Sequence, residues 1–153
     1  MFEAEANQNN HFKLITKRTV RTQNSWTHNT DRMLRGTDHT NFLYLHPQDA
    51  KKLKLKTGDL ADVSTVHAGL RIPVKLLETL MPGTVSIPHG WGHQHAKGMR
   101  IASKAKGVNV NILAASGPES IDELSGMSKL TSLEVRIEPA KGPLAHTWSG
   151  LPE

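Results

Sequence analysis

Seven apolar stretches of four to seven residues, each cut short by glycine, proline or small polar residues, constrain this chain more than any other feature. They are 12–16, 42–45, 60–66, 70–76, 84–87, 108–112 and 132–137, and most alternate apolar with polar residues or are rich in Val, Ile and Thr. Stretches of that length and period predict strands, because side chains on a strand point alternately to its two faces. One segment reads otherwise. His46 to Leu55 predicts a short helix, with Pro47 at its first position, Asp49 early and Lys51 and Lys52 late, as the helix dipole favours. Thr57-Gly58-Asp59 is expected to end it. Pro73 cannot donate to a ladder and so predicts an edge or a bulge in its strand. The expectation is a mainly β fold with short helices, a small barrel or sandwich, and a helix leading into a Gly-Asp turn favours the barrel.

At 153 residues the chain fits one domain. Residues 1–11 predict a flexible arm and residues 141–153, with two prolines and two glycines, a loose tail; the barrel occupies 12–140. With no cysteine in the sequence, a disulfide framework, a zinc ribbon, an iron–sulfur site and a cysteine nucleophile are all excluded. No apolar run reaches membrane-span length and no apolar export segment follows the start, which gives the expectation of a cytoplasmic protein away from membranes. Charge is unevenly spread. Residues 1–108 carry 16 basic and 8 acidic groups, residues 109–153 carry 3 and 6. The basic body suits phosphate, on a nucleic acid or on a small molecule, and equally suits a solvated lysine-rich surface.

Three segments could carry chemistry. Residues 18–30 combine Arg18, Arg21, Asn24, Ser25, Trp26, His28 and Asn29 in a stretch without period. Guanidinium and hydroxyl groups suit phosphate oxygens, asparagine carries a donor beside an acceptor, and an indole offers a stacking face. A loop that caps its own backbone is the competing reading. The second segment is Pro88-His89-Gly90-Trp91-Gly92-His93-Gln94-His95, whose glycines permit close backbone approach. A metal on its three histidines is disfavoured by the missing carboxylate and the helix-breaking glycines, and His93 and His95 are expected at the surface. The third is 107–111, where Asn109 and Asn111 would share one face of a strand. Catalysis finds little support: Ser25 and His28 lack a carboxylate partner, Ser125 sits in no nucleophile elbow, and the Asp122-Glu123 pair reads as solvated. The residues alone describe a binding domain.

These segments, in order with Leu45-His-Pro-Gln-Asp-Ala50, Lys56-Thr-Gly-Asp59, Met81-Pro-Gly83 and Asp122-Glu-Leu-Ser-Gly-Met127, resemble the C-terminal molybdopterin-dinucleotide-binding domain of the dimethyl sulfoxide reductase family. The similarity is greatest to its formate-dehydrogenase-like and nitrate-reductase-like members and covers about residues 12–140. It implies a double-psi β-barrel that closes over a bis-(molybdopterin guanine dinucleotide) cofactor, with molybdenum or tungsten held by other domains. The cofactor-binding residues it implies are Arg21, Asn24, Ser25, Trp26, His28, Asn29, His89, Gly90, Trp91, Gly92, Asn109 and Asn111. One departure stands out: Lys17 occupies a place where the family usually has glycine. The resemblance further implies a chain without catalysis of its own, working with other domains or subunits of a parent oxidoreductase. The alternative is a nucleic-acid or protein interaction barrel with a basic surface, in which the Asn24-Ser-Trp and His89-Gly-Trp-Gly segments would have no task.

Overall fold

The computed structural model describes residues 10–19, 26–31 and 40–142. Six strands form in chain order: β1 (His11–Lys17), β2 (Leu43–Leu45), β3 (Leu60–Ser64), β4 (Gly69–Leu76), β5 (Thr84–Pro88) and β6 (Leu133–Pro139), with one α-helix, α1 (Pro47–Leu53), between β2 and β3. They close into a barrel in the order β1-β5-β2-β4-β3-β6. Two neighbouring pairs, β1 with β5 and β2 with β4, run parallel and the remaining pairs antiparallel. This is the double-psi barrel that the family resemblance implied.

Alternation explains the core. Phe12 and Leu14 of β1, Leu43 and Leu45 of β2, Ala61 and Val63 of β3 and Val135 and Ile137 of β6 all turn inward, with exposed or half-buried residues between them. Burying each of the larger of these side chains is worth about 1.5–3 kcal/mol, so the barrel interior holds the fold together. In α1, Pro47 takes the first turn, and the His46 ring nitrogen accepts from the Gln48 N–H at 3.1 Å. Lys54, at φ 56°, ends the helix in the left-handed conformation, three residues before the expected turn. Buried Asp49 accepts from the Gly83 N–H at 2.7 Å and ties the helix to the β4–β5 turn.

Strand directions sort the connections. β1, β3 and β5 run one way and β2, β4 and β6 the other. One end of the barrel therefore carries α1 and the turn 77–83. The other carries the two long connections, 18–42 and 89–132, and the short hairpin 65–68.

Two expectations need correction. The described residues form six strands, because 108–112 does not form one: Val110–Leu113 is a 3-10 helix. The Asn109 side-chain oxygen accepts from the Asn111 N–H at 3.1 Å, a local bond that turns the chain where its alternation alone suggested extension. Asn109 and Asn111 therefore do not share a strand face. Pro73 lies at no edge either, since the barrel is closed and Pro73 pairs with Leu60. The backbone groups of Val74 serve Asp59 and Gly58 on the β3 side. Alternation then points the Pro73 nitrogen towards β2, whose pairing with β4 begins only at Val74. The missing N–H costs the ladder nothing there.

Candidate cofactor-binding site

Parallel β1 and β5 end side by side, with Lys17 opposite Pro88 and the His89 N–H donating to the Lys17 carbonyl at 3.2 Å. The two long connections thus leave the barrel from one point. Lys17 itself lies 4.1 Å from the centre of the Tyr44 ring, where its ammonium meets the negative ring face.

Two asparagines and a ring pair lock these connections together, and a third asparagine caps a turn within the second. Buried Asn41 donates from Nδ2 to the carbonyls of Pro88 and Val108, both at 2.9 Å, and accepts on Oδ1 from the Val108 N–H at 2.9 Å. Asn29, closing the 3-10 helix Trp26–Asn29, accepts on Oδ1 from the N–H groups of Ile101 and Ala102 at 3.0 and 3.3 Å. It so caps the short helix Ala102–Lys104, which has no cap of its own. Asn109 caps the next one. His28 is fully buried and meets the Trp91 indole edge-on, ring centroids 4.3 Å apart, with the His93 ring at 6.0 Å.

Glycine makes this packing possible. Gly92, at φ +93°, lies so close to Asn109 that an added Cβ would fall 2.6 Å from its backbone nitrogen. A Cβ on Gly107 would run into the Trp91 indole. His93 donates from Nε2 to the Gly90 carbonyl at 2.9 Å, and Gln94 donates to the Gly107 carbonyl. The expectation of a surface His93 is therefore corrected: it is half-buried and part of this cluster, whereas His95 is exposed.

Electrostatics follow from burial. The His28 pKa is pushed down by burial, with repulsion from His93 adding to it, so the ring is neutral near pH 7. His89, half-buried, is lowered by burial and then by the neighbouring Arg18 guanidinium. Both ring nitrogens of His28 and the Trp91 Nε1 are buried without a hydrogen-bond partner among the described residues. Leaving such a group unpaired costs about 1–3 kcal/mol. A neutral imidazole offers one donor and one acceptor, and an indole one donor. Two sequence stretches within these connections carry no carboxylate. Residues 18–30 and 89–118 contain Arg18, Arg21, Lys97, Arg100, Lys104 and Lys106 and no Asp or Glu. Positive, acid-free stretches with unpaired N–H groups fit a polar, anionic cofactor.

Of the residues singled out in the sequence, Arg21, Asn24 and Ser25 lie outside the described residues. Trp26 begins the 3-10 helix of the first connection. His28, Asn29, Trp91 and Gly92 are brought together as just described, Gly90 adopts φ +90°, Asn109 is half-buried and Asn111 exposed. Among the described residues, no group of three His, Asp or Glu side chains stands close enough to hold a metal. Asn41 and Gln94 went unnoticed in the sequence. The signal available for Asn41 was only its place at the end of a polar run, directly against the apolar run of β2.

Residues 12–133 match the family model described as the molydopterin dinucleotide binding domain. The chain belongs to that family. Among curated members, the molybdopterin-containing subunit of arsenate respiratory reductase from Chrysiogenes arsenatis is 34% identical over 90 residues, covering 55% of this chain and 10% of that one. A tetrathionate reductase subunit from Salmonella typhimurium is 29% identical over 114 residues, covering 64% and 11%. Acetylene hydratase from Pelobacter acetylenicus superposes with a TM-score of 0.66 over 84% of this chain and 18% of that one, at 23% identity, and shares the fold. The chain thus spans about a tenth of the length of the curated relatives it matches. As a molybdopterin dinucleotide-binding domain, it takes molybdopterin guanine dinucleotide as the cofactor that fits its family and its donor set. No helix among the described residues is long and apolar enough to cross a membrane.

Proposed function

We propose that the barrel end bearing connections 18–42 and 89–132 is the face that holds the dinucleotide cofactor, as the C-terminal domain or small subunit of a molybdenum or tungsten oxidoreductase. One observation carries this reading: at that end the ring nitrogens of His28, from the first connection, and the Nε1 of Trp91, from the second, are buried against each other with no hydrogen-bond partner among the described residues. The bound cofactor supplies the redox metal, and the chain's own residues bind and orient. Arg21, Ser25 and Asn24 have the chemistry for pyrophosphate oxygens. Asn109 and Asn111 suit the edges of pterin and guanine rings, and neutral His28 with Trp91 would meet a polar edge. Gly90 and Gly92 let backbone come near. The sequence has no cysteine, and we assign the chain no turnover by itself. A cytoplasmic location belongs to the same proposal and is tested by cell fractionation.

The test is pterin content per protein in the assembled oxidoreductase. Asn111 is exposed and lends the local cap only its backbone N–H, so Asn111→Ala leaves the fold intact. Loss of a hydrogen bond to a charged partner would weaken cofactor retention roughly tenfold to hundredfold. Lys51→Ala, on the helix at the opposite end, should change nothing. Equal loading of the two variants would overturn the assignment of Asn111. Salt-sensitive binding of duplex DNA by a pterin-free preparation would favour the interaction barrel instead.

A further inference from the structure

We infer that the hairpin 120–130 is a docking arm, and that it inserts its apolar side chains into the other domains of the oxidoreductase to which this domain belongs. Four of the six large apolar side chains exposed among the described residues fall within ten residues here: Ile121 at 40% exposure, Leu124 at 100%, Met127 at 68% and Leu130 at 41%. Scattered exposed apolar residues are ordinary, but a cluster on one element is the mark of a contact surface.

The element is built, not loose. Ile121 and Ser128 form an antiparallel bridge, and Asp122 N–H donates to the Met127 carbonyl at 2.8 Å. Lys129 N–H closes the base on the Ser120 carbonyl, also at 2.8 Å. At the tip, one Asp122 carboxylate oxygen accepts from both the N–H and the hydroxyl of Ser125, at 2.9 and 2.8 Å. These bonds hold the Asp122 carboxyl below the usual carboxylate range. A turn fixed this firmly presents Leu124 and Met127 outward in one arrangement, which lowers the ordering cost of docking.

Two facts select the occupant. The hairpin lies inside residues 12–133, so it is part of the domain as its family defines it and not an appendage. The chain spans about a tenth of its curated relatives, so in them some nine-tenths of the polypeptide lies beyond this barrel. A domain of that proportion is covered first by its own enzyme. The inference rests on the proposed place of the chain within such an enzyme, and adds which surface makes the contact.

Methionine oxidation tests it. Met127 and Met81 are equally exposed, at 68% and 69%, and Met81 lies in the turn at the other end of the barrel. Dilute hydrogen peroxide should oxidise both at similar rates in the 153-residue chain. In the assembled oxidoreductase, Met127 should react roughly tenfold more slowly than in the chain alone. Leu124→Ser together with Met127→Ser should leave the melting temperature of the chain unchanged and speed proteolytic release of the barrel from the assembled enzyme. Equal Met127 oxidation in both preparations would overturn the inference. So would a chain that dimerises by itself with Met127 protected, since the occupant would then be a second copy. Pterin content of the same preparation keeps the two readings apart: normal content with a reactive Met127 removes the docking arm and leaves cofactor binding standing.

Discussion

Asn41 grips Val108 by both of its backbone polar groups, accepting from the Val108 N–H and donating to the Val108 carbonyl, each at 2.9 Å. This is the pattern of a strand partner supplied by one side chain. Its remaining amide hydrogen goes to Pro88 at the end of β5, so a single residue fixes where the 89–108 segment leaves the barrel and where it returns. Asn41→Ala would orphan two carbonyls and one N–H in a buried site. The expected loss is about 3–5 kcal/mol, read from urea unfolding of the chain. Asn41→Asp should not rescue it, because a carboxylate would face two carbonyl oxygens. A loss below about 1 kcal/mol would show that water replaces the side chain.

Two glycines separate backbone conformation from close approach. Gly92 and Gly98 have nearly the same φ, +93° and +88°, but a Cβ on Gly98 meets nothing within 4 Å, whereas one on Gly92 strikes Asn109. Gly98→Ala should therefore cost only the strain of a left-handed residue, about 1 kcal/mol. Gly92→Ala should cost at least about 2 kcal/mol more, since backbone cannot yield as a flexible side chain does. Equal melting temperatures for the two variants would mean that the 92–109 contact relaxes freely.

His93 and His95 are two residues apart and should behave differently. His93→Ala removes a hydrogen bond to Gly90 and the ring beside His28, with an expected cost of about 1–2 kcal/mol. His95 is exposed, and His95→Ala should stay within about 0.5 kcal/mol of the parent. Thermal unfolding of both variants decides it.

The barrel was legible because each strand announces itself locally. Phe12-Lys-Leu14 or Leu133-Glu-Val135-Arg-Ile137 alternates whatever the rest of the chain does. Pro47, Asp49 and the two lysines likewise mark α1 within one window. Val108-Asn-Val-Asn-Ile misled for the same reason: its alternation is as clean, yet a bond from Asn109 to the residue two ahead outweighs it. The locks of the site were hidden by distance. Asn41 and Val108 are 67 residues apart and Asn29 and Ile101 are 72, and no periodicity connects such pairs. Family resemblance pointed to both connections, but not to the packing of His28 against Trp91.

The buried His28 also sets how the chain responds to acid. Its pKa in the folded state lies below the ordinary 6.5, through burial first and His93 second. Well above pH 6.5 the ring is neutral whether folded or unfolded, and contributes no pH dependence. Below it the unfolded chain takes up a proton that the folded chain refuses. Stability therefore falls with falling pH, from about 6.5 down to the lowered pKa, at no more than about 1.4 kcal/mol per pH unit for this group. His89 is shifted in the same direction and adds to the slope, while the lowered Asp122 acts only in the more acidic range below its ordinary 3.8. His28→Phe keeps a ring against Trp91 and removes both the proton site and the two nitrogens that have no partner among the described residues. It should flatten the slope between about pH 6.5 and 5 without lowering stability at about pH 7, as measured by urea unfolding across that range. The same variant in the assembled oxidoreductase should hold less pterin, because the atoms that burden the free chain are those proposed to meet the cofactor. A variant that stays as steep as the parent would mean that His28 already shares its proton in the folded chain.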